Sequence, residues 1–214
     1  MSRVYMYVVD RDFGFAPNPF HGVCTLATCK PPIRKGADVG DWVVGMGGSR
    51  LKATGRCIYA MRVSAAFSFN QYWSSPEFRD KRPVRNGSRV MMVGDNIYHR
   101  PEGAEDWQQL DSHHSLEDGS PNPLNIQKDT KANRVLVSRH FFYFGKDAPQ
   151  VPAHILRRLG FVNRIGHRVF AGQDCTALLD WISSHQDARN RVVADPFDFK
   201  ESAKRYTGKG SAVA

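Results

Sequence analysis

Three short segments of the chain carry side chains that can do chemistry. In residues 10–31, Asp10 and Asp12 bracket Arg11; Phe13, Phe15, Asn18 and Phe20 lie among Gly14, Pro17 and Pro19; His21, Cys24 and Lys30 follow. Strand alternation puts the two carboxylates on one face. A close carboxylate pair can bind a divalent cation or split its pKa values for acid–base work. Aspartates at a strand end also accept N–H bonds from the following turn, which is the competing reading. Aromatics in a loop stiffened by proline suit stacking on a base, or plug a small core. Cys24, with His21 as base and Lys30 and Arg34 as nearby cations, has the parts of an activated nucleophile. A buried core thiol is the alternative.

The second segment is Asp95-Asn96-Ile97-Tyr98-His99, directly after an expected strand at residues 89–93 and a glycine. Side chains at strand ends are held rigidly. Asn96 can read a base edge through donor and acceptor, and His99 can carry a proton near neutral pH. A tight turn explains Gly-Asp-Asn equally well. The third is Ser138-Arg139-His140 inside an apolar run. Alternation places Ser138 and His140 on one face, where a core histidine satisfied by a carbonyl is the ordinary alternative. His113-His114 falls in a polar excursion and reads as a solvated loop.

The elements that must hold these segments follow from periodicity and punctuation. Residues 4–10 read as a buried strand, 22–28 as a short one stopped by Pro31-Pro32, and 42–46 and 56–67 as further strands. Ser68 reads as the cap of a short helix carrying Tyr72 and Trp73, ended by Pro76. Residues 100–131 are a long polar excursion, 134–144 a strong strand, and a short helix follows Pro152. The clearest helix spans 174–185, with Asp174 as its cap. Strands before helices predict an α+β fold: a curled, mainly antiparallel sheet or small barrel with helices outside. One domain over residues 1–193 and a polar tail over 194–214 are expected, with Thr207-Gly208-Lys209-Gly210-Ser211 poorly ordered.

Composition narrows the function classes. The 214 residues include 41% apolar ones, enough for a core without disulfides or metal. No apolar run is long enough to span a membrane, and the N-terminus lacks a signal-peptide pattern, so a soluble cytoplasmic protein is expected. The four cysteines then read as thiols. Cys24 and Cys29 make a C-x4-C pair that matches zinc spacing poorly, and no metal is expected. Neither G-x-G-x-x-G nor a P-loop is present, and the residues point to no particular cofactor. The net charge of +9 favours nucleic acid or nucleotide partners, although the basic residues are scattered outside the run Arg79, Lys81, Arg82, Arg85 and Arg89.

Three blocks together resemble a known family. They are residues 9–31, beginning Val-Asp-Arg-Asp-Phe-Gly-Phe-Ala-Pro-Asn-Pro-Phe-His; Gly40-Asp41-Trp42-Val43-Val44-Gly45 with residues 58–63 and Tyr72-Trp73; and residues 94–99 with Val137-Ser138-Arg139-His140-Phe141-Phe142-Tyr143-Phe144-Gly145. The arrangement resembles the second of the nucleotide-modification-associated domain families of bacteria and phages. The resemblance implies a role near modified bases, alongside other DNA-modification or phage-defence proteins. A weaker likeness is to the PUA/EVE/ASCH barrels, which bind RNA or modified DNA bases; likeness of fold does not establish function. Two site readings follow. In one, Asp10 or Asp95 orients His99 or His140 as proton carrier, Cys24 being the covalent alternative; Phe13, Phe15, Asn18, His21, Lys30, Asn96 and Ser138 hold the base. In the other, Trp42, Phe15 and Tyr98 form the aromatic cage of a non-catalytic reader and Asn96 reads the base edge. A third role is a structural or regulatory partner that makes contact through charge alone.

Overall fold

The computed structural model describes residues 2–206; the expected disorder at Thr207-Gly208-Lys209-Gly210-Ser211 lies outside them. Ten strands form: β1 Arg3–Val9, β2 Cys24–Leu26, β3 Trp42–Gly47, β4 Cys57–Arg62, β5 Ala65–Phe67, β6 Tyr98–His99, β7 Gln108–Gln109, β8 Val135–Ser138, β9 His140–Tyr143 and β10 His167–Ala171. The main sheet has the order β10-β1-β3-β4-β9. Only β1 and β3 pair in parallel within it. A second sheet, β2-β8-β5, and the small β6-β7 pair complete the set. The fold is mixed α+β. The sheets are open, and no closed barrel forms among the described residues.

Two expected long strands are each bent between sheets. Residues 57–62 and 65–67 pair with 140–143 and 135–137 in one continuous register, Arg62 opposite His140 and Ala65 opposite Val137. At the bend the Arg139 amide donates to Ser64 Oγ at 2.9 Å, and the Ser64 amide donates to the Val137 carbonyl at 2.8 Å. One two-stranded ribbon therefore serves both sheets. Strands β3 and β4 are apolar almost throughout and buried on both faces. Helices α5 (Ala153–Arg158) and α6 (Thr176–Ser183) add Ile155, Leu178 and Ile182 to that core. A second core gathers Phe13, Phe15, Phe20, Phe69, Phe78 and Phe199 with strand β8.

Several expectations change. Pro31-Pro32 does not merely stop a strand. It opens helix α1 (Pro31–Gly36), since proline lacks only an N–H that the first turn leaves unbonded anyway. Residues 89–92 form helix α3 (Arg89–Met92), not a strand: Ser88 Oγ accepts from the Met91 amide, a cap that competes with extension. Helix α2 (Phe69–Ser74) carries the expected Ser68 cap as a full capping box with Gln71. Asp174 does not cap α6, whose N-cap is Cys175. The excursion at 100–131 contains helix α4 (Pro123–Asp129) and two buried histidines, so it is not a solvated loop. Residues 194–206 pack on the body, with Phe199 stacked on Phe20 and Arg50 paired to Asp198. Gly145 permits this approach. Its φ is +55°, and a Cβ there would stand 2.4 Å from the Ala194 and Asp195 carbonyls. No helix among the described residues is long and apolar enough to cross a membrane.

One buried side chain ties α1 to the end of α4. The Arg34 guanidinium is fully buried and donates to four carbonyls: Cys29 at 2.8 Å, Arg134 at 2.6 Å, and Ala132 and Asp129 both at 2.5 Å. The planar fork suits such divergent acceptors, which a single ammonium does not reach together. Arg34→Met should leave those carbonyls unpaired and lower unfolding free energy by about 3 kcal/mol or more in urea titrations. A loss below about 1 kcal/mol would show that the clamp does not hold the two segments.

Candidate active site

Three side chains from separate segments meet beside one cleft. Cys29 precedes α1, His114 lies in the excursion and Asp129 ends α4. Cys29 Sγ is 3.5 Å from His114 Nε2, and His114 Nδ1 is 2.7 Å from Asp129 Oδ2. Asp129 also accepts from the Cys29 amide at 2.8 Å and from the Tyr98 hydroxyl at 3.0 Å. Gln109 Nε2 donates to that hydroxyl at 3.1 Å, so the tyrosine proton points to the carboxylate. The His114 carbonyl is held by Asn125 and Gln109. This is a nucleophile, a base and an orienting acid in line.

The electrostatics agree with the geometry. Burial pushes the Cys29 thiol up, but the charge and hydrogen bond of His114 outweigh it and the net shift is downward. Burial disfavours charged His114, yet Asp129 and Cys29 raise it to about 10. Burial pushes Asp129 up, and His114, Arg34 and the Cys29 amide bring it below its usual range. The arrangement thus favours a thiolate–imidazolium pair backed by a carboxylate. The other three thiols are pushed up by burial alone or chiefly by burial, Cys24 and Cys57 to about 12 and Cys175 to about 11.

Sulfur, imidazole nitrogen and carboxylate oxygen lie within 4.8 Å of one another, close enough to suggest a metal. Their orientation fits an ion poorly. Asp129 already accepts from three donors and engages the histidine nitrogen that faces away from the thiol. Only Sγ and Nε2 remain facing each other, two ligands where a catalytic zinc site has three.

The cleft has a volume of about 470 Å³, within the range of small-molecule sites, and its wall includes Tyr7, Asp10, Lys30, His113, His167 and Tyr206. His113 is kept neutral: burial first, then the neighbouring His114, lower it to about 3. Its Nδ1 donates to the Lys204 carbonyl at 2.7 Å, which leaves Nε2 as an acceptor. Phe13 packs on His113 with ring centroids 4.3 Å apart, and Phe15 meets the edge of His114 at 4.8 Å.

A family model described as nucleotide modification associated domain 2 matches residues 1–203. The chain belongs to that family. No curated protein and no solved structure matches it. The family supports involvement in nucleotide modification and does not itself assign the cleft.

Within this nucleotide modification associated domain, the residues singled out from sequence scatter. Asp10, Phe13, Phe15 and Lys30 line the cleft, and Tyr98 supports Asp129 from behind it. Asp12 parts from Asp10. It is buried, and its Oδ1 accepts from the Tyr143 hydroxyl at 2.5 Å. Cys24 is fully buried with its sulfur 3.9 Å from Met61 Sδ, and exposed His21 makes no bond to it. Asp95 accepts from Thr25 at 2.6 Å and Tyr72 at 2.8 Å. Beside it, buried Lys81 donates to Asn18 Oδ1 and to the Asn18 and Val23 carbonyls. Asn18 and Asp95 thus fasten the 10–31 loop to the rest of the fold. Asn96 Nδ2 donates to the Tyr72 and Phe78 carbonyls.

His99 stacks on Trp73 at 3.8 Å, His140 meets Trp42 at 5.4 Å, and Ser138 Oγ donates to the His140 carbonyl. The expected convergence of Asp10, Asp95, His99 and His140 does not occur, because residues 89–92 are helical and the 134–144 strand is bent. Trp42 is buried in the main core and Phe15 and Tyr98 in the second, so the three form no cage. Sequence spacing carries no signal for Cys29, His114 and Asp129. Such constellations are defined by spatial role and not by chain order.

The ion pair makes a direct prediction. The rate of Cys29 alkylation by iodoacetamide should rise with pH through a midpoint below the ordinary thiol value of about 8.5. His114→Ala removes the charge and hydrogen bond that chiefly lower it and leaves burial and Asp129 against the weaker pull of Lys128, so the midpoint should move above the ordinary value. A wild-type midpoint at or above that of a free thiol would rule out the pair.

Proposed function

We propose that the chain is an enzyme of nucleotide modification that works through the Cys29 thiolate, with a nucleotide or its base held in the cleft. The observation that carries this reading is the alignment of buried Asp129 with His114 and Cys29 at 2.7 and 3.5 Å, the last two on the cleft wall. In the first step the thiolate attacks an electrophilic carbon of the nucleotide or of the group being installed. A sulfur–carbon bond forms, and the departing group takes the proton from the His114 imidazolium. Asp129 holds the ring and balances its charge. In the second step neutral His114 takes a proton from water or from an acceptor. The attack of that group cleaves the sulfur–carbon bond and restores the thiolate–imidazolium pair.

The remaining cleft residues have matching roles. Phe13 and Phe15 brace the two histidines and are too buried to stack on a base. Tyr206, half-buried and with the Arg11 guanidinium 5.4 Å from its ring centroid, is the aromatic side chain that borders the cleft from the C-terminal segment. His113 Nε2 offers an acceptor to an N–H of the substrate.

Turnover is tested by incubating the protein with nucleoside monophosphates, triphosphates and single-stranded DNA and reading products by mass spectrometry. Cys29→Ser and His114→Ala should each reduce product formation by about 1,000-fold or more. His99→Ala and His140→Ala should leave it intact. Undiminished product from Cys29→Ser would exclude the thiolate mechanism.

A further inference from the structure

We propose that the cleft beside Cys29 contains an anion site, centred on Lys30 and completed by Lys128, that takes the phosphate of a free nucleotide. This rests on the nucleotide reading of the cleft and adds the substrate class. Cys29 and Lys30 are consecutive non-glycine residues with left-handed backbone, at φ +55° and +41°. Such backbone is disfavoured for a residue with a Cβ, so the surrounding packing must hold both in place. The result is that Lys30 follows the nucleophile directly and lines the same cleft.

Lys30 is held in no ion pair, although Cys29 and the exposed Asp10 act on it as opposing charges. Its Nζ lies 4.4 Å from the centroid of the Tyr7 ring, and it makes no hydrogen bond or ion pair among the described residues. A half-buried ammonium with no directly bonded anion gains from a ligand that supplies one. Lys128, exposed one residue before Asp129, lines the same cleft, as does Arg11. Asp10 is the carboxylate in the lining, and it is exposed. A nucleic-acid strand needs cations that continue along its backbone. None of the basic run at residues 79–89 lines this cleft. Arg82 instead bonds the Trp73 carbonyl and stacks on its ring, and Arg85 bonds the Met92, Ser202 and Ala203 carbonyls. The cations are gathered within a cleft of about 470 Å³, which suits one small anion-bearing molecule.

The experiment uses the full chain and reads protection of Cys29 from iodoacetamide. Ligands are nucleoside monophosphates, the matching nucleosides, inorganic phosphate and a single-stranded oligonucleotide. Monophosphates should protect at concentrations about tenfold or more below those of the nucleosides. Inorganic phosphate should compete with them. Lys30→Met keeps the apolar stem over Tyr7 and should erase the preference; Lys128→Ala, at an exposed position, should reduce it. Equal protection by nucleosides and monophosphates, or a preference unchanged in both variants, overturns the phosphate site and leaves the thiolate reading standing. Protection by the oligonucleotide alone overturns the assignment to a free nucleotide. No protection by any nucleotide or nucleoside overturns both.

Discussion

The buried carboxylate of Asp129 is the constraint on which the site depends. A desolvated carboxylate is expensive unless charged and polar donors surround it. Here the donors are His114, the Tyr98 hydroxyl and the Cys29 amide, each brought from a different part of the chain. Satisfying that one group therefore orients the base, places the nucleophile and anchors the β6 strand at once. Arg34 completes the arrangement by binding the backbone on both sides of it, at Cys29 and at Asp129. The site is a consequence of solving one electrostatic problem with several distant segments.

The rest of the fold supplies the rigidity this solution needs. The bent ribbon formed by residues 57–67 and 135–143 joins the two sheets in a single register. The second sheet carries β2, and the loop after β2 carries Cys29. The Lys81–Asn18–Asp95 cluster fixes β2 and the segment leading into it through a buried ammonium within hydrogen-bond distance of four oxygens. Residues 194–206 close the far side, where the Tyr206 amide donates to the His113 carbonyl at 2.6 Å. Polar networks of this kind stabilise a unique geometry only when nearly every member is satisfied.

Local pattern carried the elements whose signal was local. The apolar runs that became β1, β3 and the two bent ladders were legible, as were the Ser68 cap and the apolar face of α6. What was hidden depended on tertiary context. Residues 89–92 form a short run that is apolar after Arg89, yet they lie in a capped helical turn. His113 and His114 sit among polar neighbours, and only the folded structure shows that Phe13, Phe15 and residues 204–206 bury them. The loop at 10–31 was legible as unusual, and four of its singled-out residues do reach the cleft. Asp95 and Asn96 were legible as a polar cluster, but their polarity satisfies the interior and does not face the cleft.

Cys24 and Cys29 show why residue type alone could not locate the chemistry. Cys24 opens β2 and Cys29 lies in the loop after it, five positions apart, and both are surrounded by protein. Burial raises a thiol whenever nothing opposes it, and Cys24, whose nearest sulfur partner is Met61, ends at about 12. Cys29 suffers the same penalty but faces an imidazole that Asp129 keeps protonated. The same low-polarity surroundings that would silence an unpaired thiol strengthen its attraction to that cation. Partial burial is therefore part of the activation, provided the partner is present. It also explains the left-handed backbone at Cys29 and Lys30: the chain is held in a disfavoured conformation because that is how a thiolate and an ammonium come to share one small cleft.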